Sequence, residues 1–154
     1  MSAVAKQPIK RSASATAKPG FWKMAHELST LTEHERLAQI RAGFEPNWLV
    51  ATKSAFRLTI PMIAVIANVS VSTVERRLKS HEALDPIASE RIDRLAQVAV
   101  LAEDVFEDTD AASSWMATAN DSLGGQTPLS LCETELGARQ VRRVLNAIEW
   151  GGVV

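Results

Sequence analysis

Apolar residues recur at helical intervals along most of this chain. Between Pro86 and Phe106, the residues Ile92, Leu95, Ala96, Ala99 and Ala102 fall at three- and four-residue steps and form one stripe. That is the signature of an amphipathic helix, and it is the longest helix the sequence predicts, with Pro86 in its first turn. Upstream, Thr32-Glu-His-Glu35 is a capping-box pattern, and Leu37, Ile40 and Arg41 carry a helix on to Gly43. Pro46 opens the next, with Trp48, Leu49, Ala51, Ala55 and Phe56 as its apolar residues. Phe21 and Trp22 mark where ordered structure begins. No stretch alternates apolar and polar residues strictly enough to read as a strand, so the chain is expected to be all-α.

Residues Thr59 to Lys79 have the layout of a helix-turn-helix. Thr59 can cap a short helix containing Pro61, Ile63, Ala64, Ile66 and Ala67; Asn68-Val-Ser70 is the turn; a second helix runs from Val71 to about Lys79. Small Ala64 permits close helix crossing, and Val69, Val74 and Leu78 supply the core. The run Ile63-Ala-x-Ile-Ala-x-Val-Ser-x-Ser-Thr-Val-x-Arg76 resembles the Xre/Cro-repressor class. That class often has Gly at the turn position held here by Asn68, and Asn tolerates the left-handed conformation next best.

In such motifs the second helix enters the major groove with its N-terminal residues at the base edges. Ser70, Ser72 and Thr73 would then meet phosphates or base edges. Arg76 and Arg77 follow one turn later, suited to a guanine edge or to phosphate. Lys79 and Lys53 suit phosphate. A local reading stands beside each of these. Ser70 or Ser72 can simply cap the helix, with Glu75 completing a capping box for Ser72, and Arg76 or Arg77 can pair with Glu75 or Glu82.

The C-terminal third combines turn chemistry with two helix starts. Gly124 and Gly125 permit backbone angles that a side chain would oppose. Thr127 offers a capping oxygen and Pro128 presets a short helix to about Cys132. Thr134 can cap a second helix, in which Leu136, Val141, Leu145 and Ile148 are expected to form the inward stripe, and Gly151 stops it. Asn120, Leu123-Gly-Gly, Thr127-Pro-Leu, Thr134-Glu-x-Gly-Ala, Val141, Leu145 and Ile148-Glu-x-Gly151 resemble the toxin-binding domain of the Xre/MbcA/ParS antitoxins. The family usually has Pro before the Asn and a second Pro soon after, whereas this chain reads Ala119-Asn120-Asp121.

The resemblance implies a helix-turn-helix DNA-binding domain followed by a small helical toxin-binding domain. It implies a partner of RES-type fold that consumes or transfers ADP-ribose from NAD, and operator DNA as a second partner. It implies no catalytic activity, cofactor or metal for the chain itself, which would act as a homodimer within a larger hetero-oligomer. Candidate toxin contacts are the loop residues Leu123, Gly124, Gly125 and Thr127, then Arg139, Arg142 and Arg143 opposite the stripe, and the tail from Trp150 to Val154. Trp150 reads equally as a partner contact or as simple packing. The alternative is a stand-alone helix-turn-helix regulator without a toxin.

Charge refines this layout. The net charge is −1 with a pI near 6.3, whereas dedicated nucleic-acid binders are often much more basic. The average hides a division. Residues 1–25 carry Lys6, Lys10, Arg11, Lys18 and Lys23 and no acid, and the segment Lys53 to Lys79 sets Lys53, Arg57, Arg76, Arg77 and Lys79 against Glu75 alone. Glu103 to Asp110 is strongly acidic. The expected organisation is a disordered basic tail over residues 1–20, a helix-turn-helix domain with flanking helices over 21–107, and a toxin-binding domain over 108–154.

Hydrophobic residues make up 46% of the chain, enough for a packed core without metals or disulfides. The single cysteine, Cys132, reads as packing, and a reducing bacterial cytoplasm fits. No apolar run is long enough to cross a bilayer. His26, His34 and His81 are scattered, Gly124-Gly125 lacks the setting of a phosphate loop, and no catalytic constellation is recognisable.

Overall fold

The computed structural model describes residues 18–151. Most of the basic tail and the last three residues, Val154 among them, lie outside this range. Among the described residues nine α-helices follow one another: α1 Phe21–Ser29, α2 Glu33–Ala42, α3 Asn47–Ala55, α4 Ile60–Ala67, α5 Val71–Ser80, α6 Pro86–Phe106, α7 Thr109–Met116, α8 Pro128–Leu131 and α9 Glu135–Glu149. A short 3-10 turn, Asp121–Leu123, precedes α8, and among the described residues the sole β-pairing is an isolated bridge between Asn120 and Gln126.

Local chemistry sets most helix starts. Thr32, Thr59, Thr127 and Thr134 each accept an N–H from three residues on, which satisfies a donor that the first turn leaves orphaned. Asp85 does the same for α6. Asn68 ends α4 in the left-handed region, with φ 56° and ψ 45°. Gly43 ends α2 at φ 91°, where a Cβ would collide with the Leu84 carbonyl.

The long helix α6 is the spine. Its buried residues include Ala88, Ile92, Leu95, Ala96, Val98, Ala99 and Ala102. It packs against α1, α2 and α4 on the N-terminal side of the chain and against α7 and α9 on the C-terminal side. The alanines let five helices approach one, and a single apolar core runs from Phe21 through α6 to Leu145. Phe21 sits edge-on to Phe56, ring centroids 5.0 Å apart, and Phe44 stacks on Trp48. Helix α2 buries no residue fully. It is held by Arg36, which forks onto the buried Asp93 carboxylate at 3.0 and 2.7 Å. The same carboxylate raises the guanidinium's pKa, first through that hydrogen bond.

One expectation is corrected. Leu136 does not join the inward stripe of α9 and is 66% exposed. The buried face is Gly137, Ala138, Val141, Val144 and Leu145, with Ile148 partly buried. Five residues separate Leu136 from Val141, which on a helix is about 140° off the stripe.

Candidate functional site

Helices α4 and α5 form the helix-turn-helix. Ile63, Ala64, Ala67 and Val74 are buried at the crossing, with Val69 and Leu78 partly buried beside them. Ser70 is the N-cap of α5: its hydroxyl accepts the Thr73 N–H at 3.1 Å and lies 2.9 Å from the Thr73 hydroxyl. Ser70 and Thr73 are therefore engaged with each other, and Ser72 is not the cap. Arg77 is engaged as well. It donates to the Ala83 carbonyl at 2.6 Å and lies 3.5 Å from Glu82. Lys53 is half-buried along the apolar crevice between α3 and α5. The exposed residues of α5 are Val71, Ser72, Glu75, Arg76, Lys79 and Ser80. Ser72, Glu75 or Arg76, and Lys79 recur at helical spacing, so they share an edge.

The C-terminal signature is chiefly architectural. The Asn120 side chain accepts the Ser122 N–H at 2.9 Å, and its carbonyl accepts from Gly125. Gly124 and Gly125 take φ 68° and 80°, which closes this loop, and both are exposed. Leu123 points into the core at 7% exposure, and the Thr127 hydroxyl is used by Ser130. Gly137 has a different reason: a Cβ there would run into the Leu131 carbonyl, so α8 lies directly on the first turn of α9.

The outer face of α9 is uncovered. Leu136, Arg139, Gln140, Arg143, Asn146 and Trp150 are exposed, and Trp150 is 86% exposed. Arg142 leans away from them and pairs with Glu135 at 2.7 Å. Arg94 from α6 lies 3.7 Å from the same carboxylate, donates to the Cys132 carbonyl at 3.0 Å, and is clamped by Glu90. Cys132 itself is buried, and desolvation pushes its thiol up to about 12. Position on an inaccessible turn matches packing rather than nucleophilic chemistry.

Sequence reasoning missed Arg91 and Arg94. Arg91 donates to the carbonyls of Ile66 and Val65 at 2.8 and 3.2 Å, filling acceptors at the end of α4. The only sequence signal was two arginines one turn apart on the longest helix.

Two family models match. Residues 35–97 match the antitoxin Xre-like helix-turn-helix domain, and residues 101–151 match the antitoxin Xre/MbcA/ParS C-terminal toxin-binding domain. The chain is similar to an antitoxin Xre of Pseudomonas putida, 26% identical over 158 residues and 98% of each chain. It is similar to an antitoxin Xre of Photorhabdus laumondii, 34% identical over 87 residues, which cover 56% of this chain and 59% of the relative. A Prs ADP-ribosylating antitoxin of Sphingobium is 26% identical over 151 residues, 92% of this chain and 93% of the relative. With the DNA-binding motif and the toxin-binding signature matched in sequence along one spine, the chain belongs to the Xre/MbcA/ParS antitoxin family.

Proposed function

We propose that this antitoxin neutralises a RES-type, NAD-consuming toxin in the bacterial cytoplasm and represses its own operon as a homodimer within a larger complex with the toxin. Residues 21–107 serve the operator and residues 108–154 serve the toxin, with α6 shared as their common support. The observation that carries this reading is a pair of uncovered faces on one spine. One is the polar edge of α5 with Arg76 and Lys79; the other is the face of α9 with Arg139, Arg143 and Trp150. The Sphingobium relative carries ADP-ribosylation in its name, which is consistent with a partner of that chemistry.

The α9 face has the anatomy of an interface: large apolar anchors, Leu136 and Trp150, at its two ends and guanidinium groups between. Bound over the toxin's cleft, this face and the tail beyond it exclude the dinucleotide. Two-fold association follows from the size of one motif, which covers too few bases for tight specific binding.

The test is co-expression with the small protein encoded by the adjacent reading frame. Co-purification, restored cellular NAD and a shifted band on the upstream DNA are expected. A neighbour that neither binds nor lowers NAD when expressed alone would overturn the toxin assignment; an unshifted operator would overturn repression.

A further inference from the structure

The leading turn of α5 carries an apolar residue that the fold does not use. Val71 is the first residue of that helix and is 37% exposed, while Val69 on one side and Val74 on the other are taken into the core. A β-branched residue has no propensity advantage at a solvated helix start. Beside it on the exposed surface are Ser72 and, one turn on, Glu75. The remaining polar groups of the first turn are spoken for: the Ser70 hydroxyl holds the Thr73 N–H and meets its hydroxyl. Arg77 is folded back on the Ala83 carbonyl. What the exposed face of this helix offers a base pair is thus an apolar group at its tip, the Ser72 hydroxyl beside it, the Glu75 carboxylate and the Arg76 guanidinium, with Lys79 a turn further on.

The major groove displays one apolar group, the thymine 5-methyl, and one edge with two adjacent acceptors, that of guanine. We infer that Val71 is a base-reading residue that recognises a thymine methyl, with Arg76 taking a guanine close by in the same half-site. This rests on the DNA-binding reading above and goes further by naming the bases. Five residues of helix separate the two side chains, a rise of about 7.5 Å and a rotation of about 140°, so they stand at the two margins of the exposed face with Ser72, Glu75 and Lys79 between them. Ser72, between them, donates or accepts and discriminates little. The half-site is therefore selective for a thymine and a guanine, met from the two margins of the one helix.

The experiment begins with selection of duplexes from a randomised pool by the full chain. Each thymine of the selected site is then replaced singly by uracil, which removes the methyl and leaves the pairing edge unchanged. For the wild type, uracil at one position per half-site is expected to weaken binding about fourfold, the ratio that burial of one methyl group is worth. Val71→Ala should bind more weakly and lose that sensitivity, while Val71→Thr, which keeps a methyl, should retain part of it. Because Val71 is exposed, all three proteins should melt at similar temperatures. Equal wild-type affinity for every uracil duplex would overturn the inference. So would a methyl preference that survives unchanged in Val71→Ala. Failure of the wild type to select any sequence would overturn the DNA-binding reading, and this inference with it.

Discussion

Arg91 and Arg94 stand one turn apart on α6 and grip separate parts of the molecule. Arg91 donates to the last carbonyls of α4, in the helix-turn-helix, and Arg94 donates to the Cys132 carbonyl at the turn before α9. Each is a charge-assisted hydrogen bond from a shared rigid element, of the sort worth about 1.5–3 kcal/mol. Arg94→Met is predicted to cost about 2 kcal/mol of stability by denaturant titration. It should weaken toxin binding severalfold and leave operator affinity within a factor of two. Arg91→Met should show the reverse preference. If both substitutions weakened both activities alike, the two contacts would be parts of one cooperative unit and not separate anchors.

Gly137 allows a second prediction with an unusual sign. In an exposed helix interior, Gly→Ala stabilises by about 1 kcal/mol. Here the new methyl would meet the Leu131 carbonyl, backbone that cannot turn aside. Gly137→Ala is predicted to cost about 2–3 kcal/mol through displacement of α8 from α9. Gly124→Ala meets no atom and suffers only its positive φ, so it should cost about 1 kcal/mol. Equilibrium unfolding of the two variants side by side gives the order directly; the opposite order would refute the close contact.

Helix starts and stops were legible in the sequence because they are local. The threonine caps, Pro46, the span of α6 and the left-handed Asn68 all rest on groups within a few residues of one another. The toxin-binding signature was legible for the same reason: its fixed residues build a loop, two caps and a close glycine contact. Side chains that settle their business across the fold were not legible. Neither Arg36 on Asp93 nor Arg94 on the Cys132 carbonyl follows from spacing, since the partners lie 57 and 38 positions apart. Leu136 was misplaced by accepting a five-residue step as helical. On α5, the two adjacent arginines were equivalent in sequence and became distinct only when Ala83 came within reach of one of them.

That distinction yields a third prediction. Arg76 is exposed on the reading edge, whereas Arg77 is tied to Ala83 and Glu82. Arg76→Ala should lower operator affinity about tenfold at moderate salt without changing stability, since a base-reading arginine is worth about 1–3 kcal/mol. Arg77→Ala should instead destabilise by about 1–2 kcal/mol, because it frees a carbonyl at the exit from α5. Gel shifts paired with thermal melts separate the cases, and equal loss of DNA binding at equal stability would erase the distinction.

Cys132 gives a pH signature. Burial holds its thiol protonated up to about 12, against an ordinary 9.0. Above pH 9 the unfolded chain loses this proton while the folded one keeps it. The thiol's contribution is thus fully present below pH 9 and is lost as pH rises towards 12, at about 1.4 kcal/mol per unit. At pH 7, Cys132→Ala should be the less stable protein by about 1 kcal/mol from lost packing. The gap should close near pH 10 and reverse above it, whereas a gap independent of pH between 8 and 11 would mean that the thiol is hydrated in the native state.

The face of α9 decides how the toxin is stopped. If Leu136 and Trp150 anchor the partner, each is a large apolar group that leaves water on binding, and loss of either should cost about 2 kcal/mol or more of affinity. Neither supports the fold: they are 66% and 86% exposed. Leu136→Asp and deletion of Trp150 to Val154 should therefore leave the melting temperature and operator binding nearly unchanged, while raising the toxin's dissociation constant about thirtyfold or more. Arg139→Ala and Arg143→Ala, lying between the anchors, should have smaller effects that shrink at high salt, as expected of charges at a solvated rim. Arg142→Ala should act differently, through loss of its pairing with Glu135 and hence through stability. Growth and NAD content of cells carrying the toxin with each variant, at matched antitoxin levels, read out the result. Full protection by both Leu136→Asp and the truncated chain would move inhibition to another surface, the exposed Gly124–Gly125 turn being the next to test.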